Sequence, residues 1–199
     1  STALKKWRMA RRVWKKFGYD PQQRSKTPFS VRLQYQGQFE LLWARSIDPA
    51  RAMIENVPHP ASGRRYHDLV LIDNLVAGHQ VVERKRFPVY DELGLFKPSL
   101  FHTYSCILHT TDPEAIGQLE SICRKAGLGF ENWSNASRVR AGQRQGKTPE
   151  YYGPDLHPRE EGEGMIAAIA APDQGEVLRA LASWEVVSLQ SYSDLECHL

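Results

Sequence analysis

A chain of 199 residues with 41% hydrophobic and 25% charged side chains can build one generous core or two small ones, which excludes wholesale disorder. No run of about 18 apolar residues occurs, so no helix is expected to span a bilayer. The net charge of +3 hides an asymmetry: residues 1–28 hold nine Lys and Arg against Asp20 alone, and the remainder holds 17 basic and 22 acidic residues.

The three cysteines, Cys106, Cys123 and Cys197, are odd in number and irregular in spacing. That argues against a disulfide framework or a Cys/His zinc site, and for a reducing, intracellular compartment, the cytoplasm first. The N-terminus lacks the apolar stretch of a secretory signal, although its Arg-rich, acid-poor make-up also suits a processed organelle protein.

Residues 1–26 form a basic helix and linker. Residues 3–17 contain neither Gly nor Pro, and Gly18 follows as a C-cap. Leu4, Trp7, Ala10, Trp14 and Phe17 recur at helical spacing and share one face. Lys5, Lys6, Arg8, Arg11, Arg12, Lys15 and Lys16 cover much of the rest. Such a helix either packs its aromatic stripe on the protein's own core or docks on nucleic acid, an anionic membrane surface or a partner's groove. Residues 20–28, polar with two prolines, read as a linker.

Residues 27–98 read as a smaller α+β half. Alternation over residues 29–35, a turn at Gln36-Gly37-Gln38 and a returning apolar run predict a β-hairpin. Asp48-Pro49 resembles a helix start, with Asp as N-cap and Pro at the first helical position, so a short helix is expected to about residue 57. A loop follows over 57–65. Strands are expected over 67–73 and 78–87, and residues 88–99 carry turn formers with little periodicity. A boundary near Pro98 separates this half from the next.

Residues 99–199 give the clearer pattern. Residues 101–110 predict a strand, Asp112-Pro113 starts a helix that ends at Gly127, and residues 129–133 and 164–171 predict two further strands. Asp173 starts a short helix, and residues 184–192 read as the closing strand. The order β-α-β, β-α-β predicts a ferredoxin-like unit: an antiparallel sheet with helices on one face and the other face free for a partner. The fold class is therefore α+β.

Between the second and third of these strands lies a long polar stretch. Arg138, Arg140, Arg144 and Lys147 occur there without acids, among glycines, followed by Tyr151 and Tyr152. Guanidinium groups suit phosphate, Gly lets the backbone approach, and tyrosines can stack on bases. The bland alternative is a solvated surface loop.

No catalytic residue is assigned. His102, Tyr104 and Cys106 alternate on one strand face, but a free Cys there is far more often a small core residue than a nucleophile. No Walker loop, dinucleotide fingerprint or metal-ligand spacing occurs, so no cofactor or metal is expected. Two basic, aromatic elements lead to the expectation of a nucleic-acid binder, RNA rather than DNA, or a small subunit of a nucleoprotein complex. The alternatives are a docking subunit that lays residues 3–17 in a partner's groove, with Trp7, Trp14 and Phe17 as anchors, and a small-ligand or enzyme domain of ferredoxin-like type.

Overall fold

Side chains that alternate between apolar and polar over residues 29–35 can bury one face only as a strand, and the tight turn after them decides its partner. Gln36 and Gly37 both take positive φ, 47° and 75°, the geometry whose twist matches paired antiparallel strands. Strand β1 (Phe29–Tyr35) therefore pairs with β2 (Gln38–Asp48) in the register Phe29↔Ala44 to Tyr35↔Gln38. The computed structural model describes residues 28–134, 139–141, 150–152 and 164–198, together with Lys5, Arg8, Met9 and Arg12. The chain divides into two units: residues 1–55, 67–99 and 137–153 form the first, and residues 56–66, 100–136 and 154–199 the second.

In the first unit β2 continues to β3 (Arg51–Ile54), β4 (Leu69–Val82) and β5 (Lys85–Lys97), each pairing antiparallel with the one before. The meander closes on itself because β5 also pairs with β1, in parallel, at Ser30↔Val89 and Arg32↔Asp91. An odd number of up-and-down strands brings first and last into the same direction, so closure must be parallel. Register shifts between β4 and β5 at four places supply the extra twist that bends the sheet round. Phe29, Val31, Leu33, Leu42, Ala44 and Ile54 form the core of this ring.

The helix expected after Asp48 is instead a turn and strand β3. Asp48 is buried and caps the turn: its carboxylate accepts from the Ala50 amide at 3.1 Å and from Arg51 Nε at 2.7 Å. Ala52 and Ile54 point inward while Arg51 and Met53 are half-exposed, a period of two that a helix cannot satisfy. Residues 78–87 are likewise not one strand. A second turn at Glu83-Arg84 breaks them into the end of β4 and the start of β5. Residues 88–97 belong to β5. Among the described residues this unit is built of strands, apart from the helical positions at Lys5, Arg8, Met9 and Arg12.

Because β3 has four residues, it leaves part of the facing edges of β2 and β4 unpaired, and two short strands from later in the chain cover them. Strand β8 (Val139–Ala141) pairs with β2 at Gln38–Glu40, and β9 (Glu150–Tyr152) pairs in parallel with β4 at His79–Val81. Covering an edge satisfies its backbone groups and removes a template for aggregation.

The second unit holds β6 (His102–Leu108), α1 (Pro113–Lys125), β7 (Gly129–Asn132), β10 (Met165–Ala171), α2 (Gln174–Ser188) and β11 (Tyr192–Cys197). The strands lie in the order β11-β6-β10-β7, every neighbouring pair antiparallel. Both helices start as the sequence predicts. Asp112 accepts from the amides of Glu114 and Ala115, and Asp173 accepts from that of Glu176. Gly127 at φ 72° ends α1 and lets the Leu128 amide reach the Cys123 carbonyl at 2.8 Å.

Helix α2 runs further than expected and takes in residues 184–188, read from sequence as strand. Val177, Ala180, Leu181 and Trp184 are its buried residues, a spacing of 3, 4 and 7 that belongs to a helix face. Trp184 is fully buried, and its indole N–H donates to the Ala115 carbonyl at 2.8 Å, tying the two helices together. The closing strand is displaced to β11.

The sheet face away from the helices is covered, not free. Ala167 and Ile169 face the helical core, whereas Ala168 and Ala170 pack against Val57 with Tyr66, Phe101 and Trp133. Residues 56–66 lie over this face as a strap. Trp133 Nε1 donates to the Val57 carbonyl at 3.2 Å, and Asn56 Nδ2 donates to Glu131 Oε2 at 2.6 Å. The strap demands small residues beneath it: a Cβ on Gly129 would stand 3.0 Å from the Tyr66 ring and 3.1 Å from Ala170 Cβ.

Candidate nucleic-acid interface

Dividing the charge by unit moves the asymmetry seen in the sequence. The first unit holds 20 Lys and Arg against 10 Asp and Glu, net +10, whereas the second holds 6 against 13, net −7. The acidic excess of residues 29–199 belongs to the second unit. The basic residues from the N-terminal segment, from one hairpin and from residues 137–153 all join the first.

Of the N-terminal cations, Lys5, Arg8 and Arg12 are helical and exposed, and their spacing of 3 and 4 places them along one side of a helix. Lys6, Trp7, Arg11, Trp14, Lys15, Lys16 and Phe17 lie outside the described residues, as do Arg138, Arg144 and Lys147. Arg140 sits in β8, its backbone opposite Phe39, and Tyr152 sits in β9 opposite Val81. The stretch that sequence treats as one long loop is thus anchored at two places on the first unit.

Tyr151 is not a surface ring available for stacking. It is buried, meets Phe39 edge-on with ring centroids 5.4 Å apart, and its hydroxyl accepts from Arg32 at 2.8 Å. The reason is β9: pairing with β4 turns Tyr151 onto an apolar patch formed by Phe39, Leu41 and Val89. Arg32 is held in the same place, forking onto both oxygens of Asp91 at 2.6 and 2.9 Å. That hydrogen-bonded carboxylate raises the guanidinium's pKa further against the opposing effect of burial. Arg32 therefore serves the fold and not a phosphate.

The structure adds a basic element that sequence reading missed. The turn joining β4 to β5 places Arg84, Lys85 and Arg86 in solvent, between Val82 and Phe87. Glu83 and Arg84 both adopt positive φ, 49° and 64°, where Asn-Gly is the favoured pair. The left-handed conformation costs a non-glycine residue roughly 1–2 kcal/mol. Phe87, next to this tip, meets Trp43 edge-on at 5.0 Å, and both rings are half-buried. A signal was present: Glu83 to Arg86 are four successive charged residues, a run that suits the solvated tip of a hairpin better than the middle of a single strand.

Burial pushes the Cys106 and Cys123 thiols up to about 12, so neither is a thiolate near neutral pH. Ser105 Oγ and His198 Nε2 lie 2.7 Å apart. His198 also donates its amide to the Thr103 carbonyl at 2.9 Å and has its ring 5.9 Å from that of Trp133. These contacts pin the C-terminal segment to the sheet. Among the described residues no group of three His, Cys, Asp or Glu side chains could hold a metal ion, and no helix is long and apolar enough to cross a membrane.

No protein-family model matches the chain, and no curated protein does. It is similar to a solved structure described as a novel crystal structure of a hypothetical protein from Neisseria gonorrhoeae, at 15% identity over 85% of this chain and 93% of that one. The TM-score of 0.34 is too low to support an inference about fold or function.

Proposed function

We propose that this chain binds nucleic acid, single-stranded RNA before DNA, through its first unit, either alone or as a small subunit of a nucleoprotein complex. The observation that carries the reading is the separation of charge: +10 on one unit and −7 on the other. Basic residues distant in sequence belong to one unit, and an excess of positive charge on one unit is what a polyanion partner calls for. The N-terminal segment neutralises phosphates through Lys5, Arg8 and Arg12 and their neighbours. Trp7, Trp14 and Phe17 supply stacking surfaces for unpaired bases, which is the reason to favour single strands. Arg84, Lys85 and Arg86 at the β4–β5 tip make a second contact, and Arg138, Arg140, Arg144 and Lys147 a third. The second unit, read as a ferredoxin-like scaffold from its β-α-β, β-α-β order, carries none of these contacts.

Fluorescence anisotropy with a labelled single-stranded RNA across a salt series tests this. Each phosphate neutralised on a single strand should contribute roughly −0.7 to the slope of log affinity against log salt. The triple variant R84E/K85E/R86E should weaken binding and flatten that slope. Deletion of residues 1–26 should flatten it more. No binding to RNA or DNA at low salt would refute the proposal.

A further inference from the structure

The hairpin that joins β4 to β5 sorts its side chains by face. Val82 pairs with Lys85, Val81 with Arg86 and Gln80 with Phe87. Alternation along β5 puts Lys85, Phe87 and Val89 on one side of the hairpin and Arg86 on the other. Ser30 is the register partner of both Val89 and Trp43, which brings Trp43 to the same side as Phe87. There the two rings meet with centroids 5.0 Å apart and planes at 88°. Ser30 is fully buried, and its hydroxyl donates to the side chain of Gln80, fixing the strand next to Phe87.

Phe87 is half-buried, directly beside four exposed residues, Glu83 to Arg86. An edge-on contact takes the rim of one ring and one face of the other, so the aromatic pair does not use up its own ring faces. The tip holds Arg84, Lys85 and Arg86 against Glu83, net +2. Lys85 and Phe87, two residues apart on one strand face, stand about 6.6 Å apart along it. One nucleotide can span that gap, its base on the ring and its phosphate on the ammonium. Every base has a π-face, so such a platform is tolerant of sequence but needs an unpaired strand. We propose that Phe87, with Trp43 beside it, is the platform on which one base of a single-stranded nucleic acid stacks, and that Lys85 holds the phosphate next to that base. The subsite rests on the nucleic-acid function proposed above and assigns the hairpin residues that take a base. Arg86, on the opposite side, is not part of it.

Anisotropy with the full chain tests it, using a labelled oligouridine and an abasic strand of the same length, with circular dichroism to verify that each variant stays folded. F87L keeps apolar bulk but not a flat ring. It should weaken oligouridine binding about five- to a hundredfold and leave binding of the abasic strand and the salt slope unchanged, whereas F87Y should bind like the wild-type chain. K85A should flatten the slope of log affinity against log salt by about 0.7. F87L and K85A should be non-additive and F87L and R86A additive, because only the first pair holds the same nucleotide. Ultraviolet cross-linking of oligouridine to the wild-type chain, which needs no variant to fold, should give an adduct on the peptide of Phe87 or of Trp43. Oligouridine binding that F87L leaves intact, or cross-links that miss both rings, would overturn the subsite and leave the nucleic-acid function standing. A chain that binds neither strand at low salt would overturn both.

Discussion

Replacing Gly129 with alanine tests whether residues 56–66 cover the sheet of the second unit. The added Cβ would lie 3.0 Å from both Cγ and Cδ2 of Tyr66 and 3.1 Å from Ala170 Cβ, against an ordinary carbon–carbon separation of about 3.5–4.0 Å. Tyr66 cannot relieve this by turning about its Cβ–Cγ bond, because Cγ lies on that axis, and a turn about Cα–Cβ would take the ring off Phe101. The strap backbone would have to lift. Overpacking of this kind costs about 1–3 kcal/mol, and removing a glycine from a strand returns roughly 0.5–1 kcal/mol. The net loss should be about 1–2 kcal/mol, or a fall of roughly 0.5–1 M in the urea midpoint for a slope near 2 kcal/mol/M. Tyr66→Ala alone should also destabilise, since the ring packs edge-on to Phe101 at 5.2 Å. In the Tyr66→Ala background the cost of Gly129→Ala should fall to the remainder owed to Ala170. A double-mutant cycle with a coupling energy under about 0.5 kcal/mol would mean that Tyr66 does not lie on Gly129, and the strap would have to be abandoned.

Trp184→Ala should cost about 3–5 kcal/mol, read as a lowered denaturant midpoint. Trp184→Phe should cost less, because it keeps most of the packing and gives up one hydrogen bond; equal losses would contradict the packing described. In thiol titration at pH 8, the native chain should yield one reactive group, Cys197, which is exposed. Cys106 and Cys123, pushed up to about 12, should hold on the order of one thiolate in ten thousand and react only in denaturant. Fast labelling of either in the native chain would count against that core. His67 has its pKa lowered below 6.5, chiefly by burial, with Glu55 opposing. As pH falls below 6.5 the unfolded imidazole takes up a proton that the folded one resists, so this contribution to stability is complete above that value and is lost as pH falls through the folded pKa. His67→Asn, which tolerates the left-handed φ of 64° there, should flatten stability against pH below 6.5. An unchanged slope would show that other groups set it.

Local signals were readable where the physical cause is itself local. Asp112-Pro113 and Asp173 begin helices because an aspartate next to free amides caps them whatever lies elsewhere in the chain. Asp48-Pro49 carries the same signal and misleads, because Asp48 accepts from the Ala50 amide and from Arg51, and the closed sheet takes Arg51–Ile54 as a strand. Residues 184–188 look like strand by their valines, yet Trp184 completes a helical stripe begun at Val177. Tyr151, which the sequence offers as a ring able to stack on bases, is buried instead. Its pairing with Gln80, about 70 residues earlier, is a long-range contact of the kind that overrides local composition.

By itself the sequence determined the mixed α and β class, the hairpin at Gln36-Gly37, the helix starts and the strongly basic N-terminal segment, all consequences of residue type and near neighbours. Tertiary structure alone decided that the first five strands close into a ring, that residues 56–66 roof the second sheet, and that residues 139–141 and 150–152 pair with strands of the first unit. Those outcomes depend on which distant surfaces and strand edges bury one another most completely, and no window of adjacent residues contains that comparison. The charge followed the same rule: its total was fixed by composition, but its division into a +10 unit and a −7 unit was set by where the chain crosses from one core to the other.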